Sequence, residues 1–127
     1  MIAGVGCKAG ASAGEIEAAI AEALARTGLS AGALTALATS SAKGDEPGIA
    51  AAATARGLKL VLVPQRDLEA AGARVVTRSE RVLALTGVPS VAEAAALAAA
   101  GPASRLVGPR VAVGPATCAL AVMGDAT

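Results

Sequence analysis

Apolar and polar positions in the first third of the chain follow two different periods. Residues 2–5 (IAGV) form a short run without a polar side chain, as a strand buried on both faces would. In residues 12–27 the apolar positions Ile16, Ala19, Ile20, Ala23 and Leu24 lie three and four apart, which predicts a helix with one buried stripe. Ser12 and Glu15 have capping-box spacing at its start, and Gly28 can cap its end. Residues 34–39 predict a second strand, and "TSSAKGDEPG" after it reads as a polar loop. Asp45, Glu46 and Pro47 suit the start of a helix that runs through "GIAAAATA" to Arg56. "LKLVLV", bounded by Gly57 and Pro64, is the clearest strand in the chain, and Pro64 can open a short helix through Leu68 to Ala71.

The second half changes rhythm. Residues 79–85 predict a further short helix. "PSVAEAAALAAAG" predicts another, where Ser90 and Glu93 repeat the capping-box spacing and Gly101 followed by Pro102 stops the helix. Residues 106–107, 110–113 and 117–123 read as short strands divided by Gly-Pro turns. Strands alternate with helices early and cluster late, which predicts an α/β fold: one domain over residues 1–127, with a mixed sheet and helices packed on its faces.

Composition then narrows the chemistry. Eleven basic and ten acidic residues with no run of like charge argue against a nucleic-acid groove or a membrane-binding arm. There is no Phe, Trp or Tyr on which a base or a ring could stack. There is also no His, which leaves acid–base work to Asp, Glu, Lys or Cys and argues against a transition-metal site. Cys7 and Cys118 lack the paired spacing of a zinc or redox motif and are expected to be reduced thiols in a cytoplasmic protein. "MIAGVGC" has the outline of a lipid-attachment site, but only six residues precede the Cys, without a charged segment or an apolar core. The uncharged stretch at 111–124 is too short for a membrane helix and contains Pro115 and two glycines.

The stretch "GVGCKAGAS" is the densest in candidate chemistry. Gly4, Gly6 and Ala9 fit the loose dinucleotide pattern between a strand and a helix, where backbone N–H groups favour an anion. That pattern also needs an acidic residue at the end of the second strand, and Thr39, Ser40 and Ser41 stand there; only an NADP form, using Lys43, stays open. A glycine-rich turn without a ligand satisfies the same spacing. Cys7, beside Lys8 and near a helix N-terminus, is either a nucleophile of lowered pKa or a small side chain buried at the strand end. Lys43 and Glu46 either fall beside the first loop, as they can in an open α/β sheet, or form a solvated pair. Glu93, the only charged residue between Val82 and Ser104, is either a buried acid–base carboxylate or the capping partner of Ser90.

In order along the chain, "GVGCKAG", "KGDEPGI", "GVPSVAEAAALAAAG" and "TCALAV" resemble the blocks of the CobE/CbiG C-terminal domain family of cobalamin biosynthesis. The resemblance covers nearly the whole chain, and the length is similar to that of the free-standing form. It implies an α/β domain with a mixed sheet, and it places motif positions at Gly4, Gly6, Cys7, Gly10, Lys43, Glu46, Gly48, Val91, Glu93 and Thr117. With Lys8, Ser40 and Ser90 added from the neighbouring loops, the ligand-binding candidates are Gly4, Gly6, Cys7, Lys8, Gly10, Ser40, Lys43, Glu46, Ser90, Glu93 and Thr117. Glu93, Lys43 and Cys7 are the catalytic candidates, no metal or cofactor is implied, and Ala9 and Arg110 depart from the family pattern. The expected ligand is a tetrapyrrole intermediate of precorrin or hydrogenobyrinic acid type, with other cobalamin-pathway enzymes as further partners. Its peripheral carboxylates would meet the backbone N–H groups of two helix N-termini, with Lys8 and Lys43 alongside. Larger relatives are implicated in opening the lactone of cobalt-precorrin-5A with loss of acetaldehyde, so a hydrolase is the alternative and an NADP-like nucleotide module a third.

Overall fold

The computed structural model describes residues 1–123, so the last residue of the uncharged stretch, Gly124, lies outside them. The opening apolar run becomes β1 (Ile2–Cys7), buried from Ile2 to Gly6 because it occupies the middle of a six-stranded mixed sheet. Parallel β2 (Ala36–Ser40) lies on one side of it and antiparallel β6 (Ala116–Val122) on the other. β3 (Lys59–Val63) continues the parallel part beyond β2. β4 (Arg105–Leu106) and β5 (Val111–Val113) both pair antiparallel with β6. The strand with the strongest sequence signal, β3, is an edge strand with Leu62 44% exposed, whereas the alanine-rich β2 is buried throughout.

Two helical layers cover the sheet. α1 (Ala13–Thr27) and α2 (Pro47–Ala55) bury one face together with Val5 and Leu37. The five periodic positions from Ile16 to Leu24 are those α1 buries, its Ser12–Glu15 capping box is complete, and Gly28 ends it at φ 70°. α3 (Gln65–Ala71) and α5 (Val91–Ala100) bury the other face around Leu68 and Leu97. α5 is nearly all alanine and buries six consecutive residues from Ala92 to Leu97, so its backbone sits close on the sheet. Gly4 makes that approach possible, because a Cβ there would lie 1.9 Å from the Ala92 carbonyl oxygen. Gly48 does the same for α2, where a Cβ would lie 2.2 Å from the Ala11 carbonyl oxygen.

α4 (Glu80–Thr86) is different. Ser79 caps it by accepting from the Val82 N–H, and Gly87 at φ 80° ends it, yet none of its residues is buried and Leu85 is 74% exposed. It stands beside the carboxyl ends of the parallel strands as one wall of a cleft. Among the described residues no single helix is long and apolar enough to cross a membrane.

Candidate functional site

Because β1 and β2 are parallel and in register, Gly4 opposite Ala38, their outgoing loops emerge at the same edge of the sheet. The Gly10 N–H donates to Glu46 Oε1 at 2.9 Å and ties these two loops together, and the Lys8 N–H donates to the Pro115 carbonyl at 2.9 Å and ties the first of them to the turn between β5 and β6. Between them and α4 opens a cleft of about 1040 Å³. It is lined by the strand ends at Gly6, Cys7, Ser40 and Thr117, by Lys8, Lys43, Val91 and Pro115, and by Arg81, Val82 and Leu85 of α4.

Lys8, Lys43, Arg81 and Arg110 line the cleft, and no carboxylate does. Among the described residues the ion pairs are Arg26–Glu22, Arg56–Glu17 and Arg66–Asp67, so none of the four cleft cations is neutralised by a carboxylate. The hydroxyls and the amide of the lining are partly engaged within the protein. Ser40 Oγ accepts from the Ala42 N–H, Thr86 Oγ1 donates to the Val82 carbonyl and accepts from the Val88 N–H, Thr117 Oγ1 donates to the Gly6 carbonyl, and Gln65 Nε2 donates to the Thr86 carbonyl. The free hydrogen-bonding capacity of the cleft is therefore mostly cationic, and such a cleft concentrates anions.

Six of the candidate ligand residues meet at this cleft: Gly6, Cys7, Lys8, Ser40, Lys43 and Thr117. The other five lie outside its lining. Gly4 is covered by α5, Gly10 takes φ 81° in the loop that Glu46 secures, and Ser90 is buried as the cap of α5. Glu93 is fully buried. The glycine spacing that fits a dinucleotide pattern serves helix packing at Gly4.

The geometry bears on three of these readings. The capping box at α5 is only half formed: Ser90 Oγ accepts from the Glu93 N–H at 3.3 Å, but the Glu93 carboxylate does not return to Ser90. It turns instead to the N–H groups of Val76, Thr77 and Arg110 and the Thr77 hydroxyl, because a buried carboxylate needs more donors than one amide supplies. In the first loop the N–H groups of Lys8, Gly10, Ala11 and Ser12 are bonded within the protein, which leaves few amides for an anion. Finally, burial pushes the Cys7 thiol above its ordinary pKa; Lys43 opposes the shift and Glu46 adds to it. Desolvation by the strand end outweighs the nearby cation, which favours the small buried side chain over the activated thiolate at Cys7.

The second thiol, Cys118, lies inside the sheet with its pKa pushed up to about 12 by burial, against a weaker opposing effect of Arg56. Both thiols should resist iodoacetamide at neutral pH, Cys7 reacting more slowly than a free cysteine and Cys118 only after unfolding. Faster modification of Cys7 than of a free thiol would contradict the burial argument. Because the folded protein holds the Cys118 proton more tightly than the unfolded chain does, its contribution to stability is intact below the ordinary thiol value of 9.0 and is lost as pH rises towards about 12. Urea unfolding should show a decline approaching ~1.4 kcal/mol per pH unit in that window. Cys118→Ala should flatten it.

Arg81, Gln65, Ser79, Thr86 and Leu85 were not legible as site residues from sequence. The available signal was that seven residues with Val82, Leu83 and Leu85 form a helix too short to bury a full stripe, leaving its side chains for something other than the core. Among the described residues no group of three or more Cys, Asp or Glu side chains is arranged to hold a metal ion.

Residues 1–121 match the family model described as cobalamin synthesis G C-terminus. Protein CobE of Sinorhizobium sp is 37% identical over 127 residues, which is all of this chain and 81% of that protein. The crystal structure of CobE, a protein from the cobalamin (vitamin B12) biosynthetic pathway, is similar at a TM-score of 0.88 and 37% identity, covering 94% of this chain and 87% of that one. Cobalamin biosynthesis protein chiG from Agrobacterium tumefaciens str. C58 is similar at a TM-score of 0.77 and 45% identity, covering 98% of each chain.

Proposed function

The chain belongs to the cobalamin synthesis G C-terminus family, and from that premise we propose that it binds a precorrin or corrin intermediate in the cationic cleft and assists its processing or transfer. Its relatives are cobalamin biosynthesis proteins, which supports a role in that pathway. One observation carries the finer reading: a cleft of about 1040 Å³ with four cations, no carboxylate and no ion pair among the described residues. Tetrapyrrole intermediates of this class carry carboxylates around their rim, and each can take a charge-assisted hydrogen bond from Lys8, Lys43, Arg81 or Arg110. Val82, Leu85 and Val91 offer apolar contact to the ring where an aromatic side chain is lacking. Cytoplasmic partners that make or consume the intermediate complete the proposal.

Titrating the purified protein with hydrogenobyrinic acid, and separately with NADPH, tests it. Saturable binding of the tetrapyrrole that weakens with salt is the expected result. Binding of NADPH alone would overturn the reading, and release of acetaldehyde from a lactone-bearing precursor would assign a hydrolase instead. Lys43 is half-buried in a polar loop and pairs with no carboxylate among the described residues, so it should matter for the ligand more than for folding. Lys43→Ala should weaken tetrapyrrole affinity by about 1–3 kcal/mol and leave the urea midpoint almost unchanged.

A further inference from the structure

We infer that Glu93 is a positioning residue that holds the Arg110 strand entry in place, so that Arg110 keeps its position in the lining of the cleft. The inference rests on reading the cleft as the ligand site. Glu93 sits in the first turn of α5 with no exposed surface and does not line the cleft, so it has no route to a ligand in this arrangement. Its carboxylate has four donors from two segments far from it in sequence. Oε1 accepts from the Val76 N–H at 2.7 Å and the Thr77 N–H at 2.9 Å. Oε2 accepts from the Arg110 N–H at 2.8 Å and from the Thr77 hydroxyl. Oε1 is thus tied to the segment that leads into α4, and Oε2 joins that segment to the residue that precedes β5.

The donor set explains why a carboxylate is needed there. It has two acceptor oxygens and no donor, whereas the amide of glutamine has one acceptor and an NH₂ group that must face something. If the glutamine oxygen keeps the Val76 and Thr77 amides, its NH₂ meets the Arg110 N–H, donor against donor. The Thr77 hydroxyl can rotate to accept from that NH₂, but the Arg110 N–H cannot. The reverse orientation opposes the NH₂ to two main-chain donors and is worse. Glu93→Gln should therefore free the backbone at Arg110 first.

The experiment reads backbone and ligand separately. Amide hydrogen exchange by NMR on Glu93→Gln should show faster exchange at Arg110, with protection in α1 and β1 kept. Hydrogenobyrinic acid affinity should fall about tenfold, the scale of one charge-assisted contact, and become less dependent on salt, as it should in Arg110→Ala. In the Arg110→Ala background the further loss from Glu93→Gln should be under about twofold, since a residue acting through Arg110 has nothing left to position. Equal losses in both backgrounds, or unchanged Arg110 exchange, would overturn the inference. If the wild type binds no tetrapyrrole, the ligand reading fails by itself, while the exchange data still decide whether Glu93 holds Arg110. Should Glu93→Gln not fold, Thr77→Val, which removes only the hydroxyl donor, should give a smaller increase in Arg110 exchange, and no increase would count against the clamp.

Discussion

Gly4→Ala is expected to lower the unfolding free energy by about 3 kcal/mol or more, at or beyond the upper end of what overpacking a core costs. The new methyl would lie 1.9 Å from the Ala92 carbonyl oxygen, 2.7 Å from the Ala96 nitrogen and 2.8 Å from the Ala96 Cβ. Two of these are main-chain atoms of α5, so no side-chain rotation relieves the contact and the whole helix must lift off the central strand. α5 has six consecutive buried residues beginning at Ala92, and all of them would lose contacts together. Domains of this size have total stabilities of about 5–15 kcal/mol, so the variant should unfold at much lower urea or accumulate insoluble. Gly48→Ala should behave similarly through the Ala11 carbonyl. Gly14→Ala is the control, since a Cβ in this exposed first turn of α1 would meet only Ser12 Oγ at 3.9 Å. It should be neutral or add up to ~1 kcal/mol of stability, as alanine does in place of glycine in a helix. A Gly4→Ala protein as stable as wild type would refute the close-packing account of the α5–β1 contact.

The second large effect concerns ligand affinity. Lys43→Ala combined with Arg110→Ala removes two of the four cleft cations. The two positions lie on different segments, and neither forms an ion pair among the described residues. Their contributions should add, weakening hydrogenobyrinic acid by roughly 2–5 kcal/mol and reducing its salt dependence. Neither side chain belongs to the buried core, so thermal unfolding should shift little. Titration of the double variant in low and moderate salt checks both statements. Wild-type affinity in the double variant would remove the cationic cleft as the binding site even if the protein does bind tetrapyrroles.

The order of elements, the buried stripe of α1, its completed cap and the alternation that predicts an α/β fold were all determined by the sequence alone. Each depends on residues within about four positions of one another, where helix and strand periods and caps act. Tertiary structure decided the rest. β3 carries the strongest strand signal yet lies at the edge, and β2 the weaker one yet lies inside; propensity reports backbone preference, while burial depends on which neighbours the topology supplies. Ser90 and Glu93 have the same spacing as Ser12 and Glu15, but Glu93 bonds Val76, Thr77 and Arg110, which lie 17, 16 and 17 residues away, and only the folded chain brings those donors to it. The same holds for Cys7, where the sequence left an activated thiol and a buried side chain both open, and burial in the folded chain raises the thiol pKa. It holds equally for Arg81, which joins Lys8, Lys43 and Arg110 only because α4 is folded back beside the carboxyl ends of β1 and β2. Local chemistry is written in short stretches of sequence, but a cleft is made by contacts between distant ones, and their free energies depend on topology.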